Sequence, residues 1–469
     1  MLFNSFMFWF FFIGVFSIYW LVPKRFQNRI LLVSSYIFYG AWDWRFLFLI
    51  LISTIVDYIL GQKLVQDSPK KRFYLTFSIV TNLGILSIFK YFGFFIDQLD
   101  TFFSIIGLEI LLPTLDIILP IGISFYTFQT MSYTIDIFRN KTKPVYNFFD
   151  FALYVSFFPQ LVAGPIERSH KLLPQIIKPR KFKDINFSEG LYFVIYGLFL
   201  KVVVADNMAT ISNAIFSSSA ESLIGADVIV GAYAFAFQIY GDFCGYSFIA
   251  IGLSKWLGID LMKNFKAPYI SRNPSDFWRR WHISLSTWLR DYLYIPLGGN
   301  RKGKRNTYIN LLITMVLGGL WHGAGWTFII WGMFHGSILI IYRILIDKKL
   351  FLPKIFKNRI GDILNIILMF HLVCISWIFF RAETIQQALM MLTRLFFDFS
   401  YTHQTISMLF IITFFVLPIF IYEIWDENKN YKIFKERSVI SLVVFLNYCL
   451  FMIIIFPAPR SQDFIYFQF

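Results

Sequence analysis

From Asn306 to Tyr342 the chain carries no Asp, Glu, Lys or Arg, yet His322 and His335 lie inside that stretch. A hydrocarbon layer about 30 Å thick is spanned by roughly 20 mostly apolar residues in one helical pass. The stretch is long enough to cross twice, with the turn expected beside His322 in "GGLWHGAGW" (318–326). Other uncharged runs lie at Met1–Pro23, Phe73–Phe89, Ile117–Ile135, Ile363–Phe380, Gln404–Tyr422 and Ser438–Pro459. Shorter or singly interrupted runs occupy 30–42, 46–60, 191–205 and 228–254. Together they predict about twelve crossings. Composition agrees: 15% of residues are charged, against about 25% in soluble domains. The predicted fold class is an all-α polytopic membrane protein, one membrane domain over 1–469.

The net charge of +15 is concentrated in loops. Lys24/Arg25/Arg29, Lys70/Lys71/Arg72, Arg168–Lys183, Arg301–Arg305, Lys348–Arg359 and Lys429–Arg437 carry much of it. Placing these loops in the cytoplasm satisfies the positive-inside rule and puts both termini outside. The charge is thereby explained by topology, with no nucleic-acid partner. Met1–Pro23 lacks a basic leader and a small-residue cleavage site, so a retained helix is expected there. Phe151–Ile166, with Pro159 and Pro165, is expected to be re-entrant or broken. Cys244, Cys374 and Cys449 are too dispersed for a metal site or a disulfide framework.

An ionisable side chain at membrane depth needs polar partners or water, which makes His322 a candidate for function. Gly318, Gly319, Gly323 and Gly325 favour a tight hairpin or unwound turn, tolerated there only if packed in protein or lining a cavity. Trp321 and its neighbouring tryptophans could wall such a cavity. A neutral imidazole can take a proton from a hydroxyl and later return it. His335 and His371 lack this glycine setting and are expected to be structural. Asp242 is the one charge between Val228 and Ser254; an Arg of the 273–300 segment or a histidine is its expected partner.

The segment "NPSDFWRRWHISLSTWLRDYLYIPLGGN" (273–300) opens with Asn273 as an N-cap and Pro274 at the first helical position. It closes at Pro296 and the turn Gly298-Gly299-Asn300. As one helix it places Phe277, Trp281, Leu285, Trp288 and Tyr292 within an arc of about 80°. Arg279, His282, Ser286 and Arg290 fall opposite. An in-plane helix on the cytosolic side, within an insertion over 255–305, is predicted. Its cationic face serves either as an anchor or as the entrance for a phosphate-bearing donor, since guanidinium suits phosphate.

Several ordered strings resemble those of the membrane-bound O-acyltransferases, in the branch of the bacterial alginate O-acetyltransferase membrane subunit. They are "SYIFYGAWDWRF" (35–46), "ILPIGISFYTFQTMSYTIDIFR" (118–139), "FFPQLVAGPIERS" (157–169), "QIYGDFCGYS" (238–247), "DFWRRWHISLSTWLRDYLYIPLGGN" (276–300) and "WHGAGW" (321–326). The resemblance implies the fold of that family and makes His322 its essential histidine. It maps the second motif histidine onto His282. Many relatives carry an acid after "GYS", where this chain has Phe248. The end "DFIYFQF" (463–469) also resembles this branch, in which Tyr466 would be an acyl relay; an aromatic interfacial belt is the alternative. Residues 460–469 would form an extracytoplasmic tail.

The resemblance further implies a reaction. A cytosolic thioester, acetyl-CoA, would be the co-substrate and no cofactor would be bound. It would reach His322 past His282 and the Arg279, Ser286 and Arg290 stripe, with Asp242, Trp321 and Asn300 in support. The acetyl group would pass to a hydroxyl on the far side of a bacterial cytoplasmic membrane, and an extracytoplasmic esterase-like partner would complete transfer to a polysaccharide. Membrane lipid surrounds the chain. Transfer of another acyl group such as D-alanine from a carrier protein is the alternative. A transporter or flippase is the rival class, favoured by inverted repeats with paired broken helices, and one broken site is evident here.

Overall fold

The computed structural model describes residues 1–65, 69–108, 112, 118–162, 164–219, 221–348, 359–428, 439–460 and 462–465. All regular structure among them is helical. In chain order the first helices are α1 (Phe6–Leu21), α2 (Lys24–Asp43), α3 (Leu47–Lys63), α4 (Lys71–Leu86), α5 (Phe92–Ile105), α6 (Ile123–Phe138) and α7 (Phe148–Ser156). Then come α8 (Phe158–Leu161), α9 (Ser169–Ile177), α10 (Phe187–Leu198), α11 (Asp206–Phe216), α12 (Gly225–Trp256), α13 (Pro274–Arg280) and α14 (Ile283–Leu289). The last are α15 (Gly303–His322), α16 (Trp326–Asp347), α17 (Arg359–Arg381), α18 (Ile385–Phe397), α19 (His403–Asn428) and α20 (Val439–Ile455).

Seven helical stretches among the described residues are long and apolar enough to cross a membrane, and Phe6–Leu21 and Ile440–Ile455 are shorter apolar helices. The protein is a multi-pass membrane protein. Two compact units are present: Met1–Leu191 with Ile249–Met262, and Tyr192–Phe248 with Lys263–Phe469.

In the first unit the expected break in Phe151–Ile166 appears between α7 and the single turn α8, with Pro159 in the first turn of α8. Its core is held by polar side chains on α3, α4 and α6. Asn82 and Ser78 donate to Asp57 at 2.7 and 2.6 Å, while Ser53 and Thr130 donate to Asn82 at 2.8 and 3.1 Å. Such bonds replace those that water would supply, and they fasten helices where the hydrophobic effect cannot.

In the second unit the single amphipathic helix expected over 273–300 is not formed. Asn273 does cap α13, accepting from the Asp276 N–H at 2.8 Å. The chain then breaks at His282, resumes as α14, and ends in a π-helical turn at Arg290–Tyr294. The aromatic face does not lie against lipid either: Phe277, Trp281, Leu285 and Trp288 are buried in protein. A 3.6-residue pattern records which side chains are apolar; here the apolar side found protein rather than an interface.

Candidate active site

The hairpin of α15 and α16 positions the first histidine. A Cβ on Gly319 would sit 2.2 Å from the Phe328 carbonyl oxygen, and one on Gly332 2.4 Å from that of Met315. The two helices therefore meet backbone to backbone, as small residues allow in membranes. Gly323 is extended (φ −158°) and ends α15, leaving His322 as its last residue. The hairpin with an unwound turn agrees with the sequence expectation. His322 is 3% exposed, and its ring is packed among aromatic ones. Its centroid lies 5.0 Å from Trp321, 5.2 Å from Trp331 and 5.3 Å from Phe380.

The second histidine stands where two helices fail to join. His282 takes the left-handed conformation (φ 42°, ψ 55°) between α13 and α14, which costs a non-glycine residue roughly 1–3 kcal/mol and persists only where surroundings impose it. Asn264 imposes it from outside the segment. Its carbonyl accepts from the Ile283 N–H at 2.8 Å, and its side-chain oxygen accepts from the Ser284 N–H at 3.2 Å and the Ser284 hydroxyl at 2.9 Å. The cap of α14 is thus borrowed from a residue 20 positions earlier. On the other side Arg280 pairs with Asp276 at 3.0 Å and also with Glu427. The result is a fully buried His282 ring 6.3 Å from that of His322, with Phe243 at 4.6 Å and Trp321 at 5.9 Å.

Of the residues singled out from sequence, His282, His322 and Trp321 come together. Arg279, Arg290 and Asn300 are exposed, and Arg290 pairs with Asp291 at 2.8 Å. Half-buried Ser286 donates to the Trp281 carbonyl at 3.0 Å. The break at His282 takes that ring off the stripe these residues were expected to share. His335 shares Trp331 with His322 and is bonded to the Ser376 hydroxyl at 3.0 Å. His371 bonds Tyr233 and the Ile367 carbonyl, both at 2.7 Å. Phe248, in place of the acid of many relatives, packs on Phe193 and Tyr196. Tyr466 lies outside the described residues.

Asp242 has a different partner from the one expected. Its carboxylate pairs with Lys201 at 2.7 Å, and Lys201 also pairs with Asp206 at 2.8 Å. The reason is local geometry. Residues Phe199–Ala205 form a π-helical stretch following α10. There α12 approaches so closely that Cβ atoms on Gly241 and Gly245 would lie 2.8 and 2.7 Å from the carbonyls of Leu200 and Gly197. An arginine in α13 cannot compete with a lysine held in that contact. Lys201 was visible in the sequence as the charge interrupting an apolar run; Asn264 and Asp206 gave no such signal.

The C-terminal segment completes this cluster. Lys201 Nζ donates to the Gln462 carbonyl at 2.9 Å, and the Ile465 N–H donates to Asp242 Oδ2 at 2.6 Å. Phe464, 1% exposed, packs its ring against Tyr246 and Phe243 at 4.9 and 6.1 Å. Phe243 therefore touches both the tail and His282.

Two neighbouring imidazoles in an apolar box can bind, hold and pass a proton, the elementary requirement of acyl transfer to a hydroxyl. A profile of the MBOAT, membrane-bound O-acyltransferase family matches residues 138–382. The chain is 43% identical over 402 residues to a protein of Azotobacter vinelandii named Probable alginate O-acetylase AlgI, covering 84% of this chain and 78% of that protein. It is 36% identical over 427 residues to the Peptidoglycan O-acetyltransferase of Helicobacter pylori, covering 84% and 79%. At 30% identity over 281 residues it matches the Teichoic acid D-alanyltransferase of Streptococcus thermophilus, covering 55% and 68%. Lys201, Asp242, His282 and His322 all lie within the profile match, and the tail lies beyond it.

Proposed function

Because the chain belongs to the membrane-bound O-acyltransferase family and is a membrane acyltransferase, we propose that it transfers an acetyl group from a cytosolic thioester, acetyl-CoA, for O-acetylation of an extracytoplasmic polysaccharide. The observation that carries this is the pair of buried imidazoles at 6.3 Å, one ending a glycine hairpin and the other in a left-handed break. His322 takes the proton of the acceptor hydroxyl as its oxygen attacks the thioester carbonyl. The carbon–sulfur bond breaks, and the departing thiolate receives that proton from the imidazolium, so no charge is left in the site. Direct attack by His322 on the thioester is the covalent variant. His282 stands close enough to orient its partner. Arg279 and Arg290, exposed and cationic, suit the first encounter with the phosphates of the donor.

The acceptor hydroxyl is that of Tyr466, of a partner protein or of a sugar, and an extracytoplasmic esterase-like partner finishes the transfer. Concentration of Lys and Arg in one set of loops supports a bacterial cytoplasmic membrane with both termini outside. Transfer of D-alanine from a carrier protein is the second reading, favoured by the D-alanyltransferase relative. Purified protein in liposomes, supplied with radiolabelled acetyl-CoA and an acceptor glycan with its partner, tests the assignment. His322→Ala should insert normally and lose at least about a hundredfold in transfer. Retained turnover rejects the histidine, and turnover with a D-alanyl carrier but not with acetyl-CoA selects the second reading.

A further inference from the structure

The ammonium of Lys201 is buried and has three N–H donors to satisfy. Asp206 takes one at 2.8 Å and Asp242 another at 2.7 Å. The third goes to a main-chain carbonyl of the tail, Gln462, at 2.9 Å. The two carboxylates outnumber the one ammonium, and the tail contributes there as well: the Ile465 N–H reaches Asp242 at 2.6 Å. Both contacts read backbone atoms, so they would tolerate changes of side chain and depend on the spacing of residues. Phe464 supplies the only ring between these two anchors and fills the space beside Tyr246 and Phe243. Asn213 adds a weaker bond at 3.5 Å to the Gln462 side chain, and is itself fixed by Arg381 at 3.0 Å. Upstream, the Ala458 N–H donates to the Val202 carbonyl at 3.4 Å and Asn207 to that of Phe456 at 3.1 Å.

We propose that Lys201 and Asp242 form a docking site for main-chain atoms of the chain's own C-terminal segment. By fixing the chain at Gln462 and Ile465, this site sets the register of the residues that follow. Its catalytic meaning rests on the reading of Tyr466 as an acyl carrier; docking itself does not. Lys201 and Asp242 are in this sense positioning residues: they act on the reaction through the tail.

Docking is read without activity. In a background with the three native cysteines replaced by alanine, single cysteines at positions 463 and 464 are labelled with a water-soluble maleimide. Asp463 is exposed and Phe464 buried, so Phe464→Cys should react at least about tenfold more slowly than Asp463→Cys. Equal rates in a monodisperse protein whose thermal midpoint matches that of the cysteine-free parent overturn the proposal. Ile465→Pro removes the N–H given to Asp242 and leaves every charged side chain in place; it should equalise the two rates, whereas Ile465→Val should not. Protection that survives Ile465→Pro also overturns the proposal.

Acyl transfer then separates docking from relay. With the tail docked, Tyr466→Phe should abolish transfer. Inserting one glycine between Ile465 and Tyr466 should keep Phe464→Cys protected and lower transfer at least tenfold, a change of register that a purely structural role would not register. Full transfer by Tyr466→Phe with protection intact removes the relay and leaves the docking site standing.

Discussion

Asp57 and Asp242 are both buried in this protein, and they are buried in different ways. Asp57, in the first unit, is satisfied by Ser78 and Asn82 on a neighbouring helix. Its donors are side chains of a continuous bundle, and Asn82 is itself tied to Ser53 and Thr130. Asp242, in the second unit, is satisfied by a lysine and by the amide of a residue near the chain end. Burial alone therefore says little about role, because a carboxylate can be internal fastening. What distinguishes the two is whether the partner can leave: a serine within a helix cannot, and a terminal segment can. The same contrast separates His335, bonded to Ser376, from His322 at the end of its helix beside a second imidazole.

Removing the cation tests the contrast most severely. Lys201→Met leaves Asp206 and Asp242 buried together without their counter-ion, and breaking a buried pair from one side costs about 3–5 kcal/mol. The thermal midpoint in detergent should fall sharply. Adding Asp242→Leu should recover part of the loss by removing one of the orphaned charges. A Lys201→Met protein as stable as the parent would mean that the cluster is not ionic, and the distinction from Asp57 would collapse.

The Asp57 cluster comes next in size. Asp57→Ala strips the acceptor from Ser78 and Asn82, at about 1–3 kcal/mol for each donor left unpaired. Acyl transfer per folded molecule should not change. Differential scanning fluorimetry gives the first quantity and initial rates, normalised to monodisperse protein, the second. A drop in turnover larger than the drop in folded fraction would make Asp57 more than a fastening.

Much of this was legible beforehand. The glycines of 318–325 announced the α15–α16 turn, Pro159 the interruption after α7, and Asn273 the start of α13, since each acts on its own backbone. Long strings such as "RRWHISLS" and "WHGAGW" pointed to the family, and the chain does belong to it. What could not be read depended on residues far away in the chain. The pattern over 273–300 runs through His282 without a flaw, because Asn264 makes the break from another segment. Lys201 and Asp242 were each visible as isolated charges, but their pairing follows from a π-helical stretch and from a helix contact at Gly241 and Gly245. The packing of Phe464 and Ile465 left no trace in periodicity.

The smallest effect in stability should be the sharpest in catalysis. Asn264 resembles neither aspartate: it is a neutral side chain whose oxygen serves two donors of Ser284, at 3.2 and 2.9 Å. Asn264→Ala removes a borrowed cap, worth about 1–2 kcal/mol in helix stability. The Ile283 N–H keeps the Asn264 carbonyl, which survives the substitution, so α14 should persist. The left-handed turn at His282 loses the side-chain half of what Asn264 supplies and can relax toward ordinary helix, carrying the imidazole away from His322. Turnover at saturating donor should then fall by about tenfold or more while the Michaelis constant for donor moves little, since a loss confined to kcat marks an interaction made in the transition state. Asn264→Asp, which keeps an acceptor for Ser284, should restore most of the rate. An Asn264→Ala enzyme with normal kcat would show that the strained break at His282 is a feature of folding alone, and the second histidine would join His335 among the structural ones.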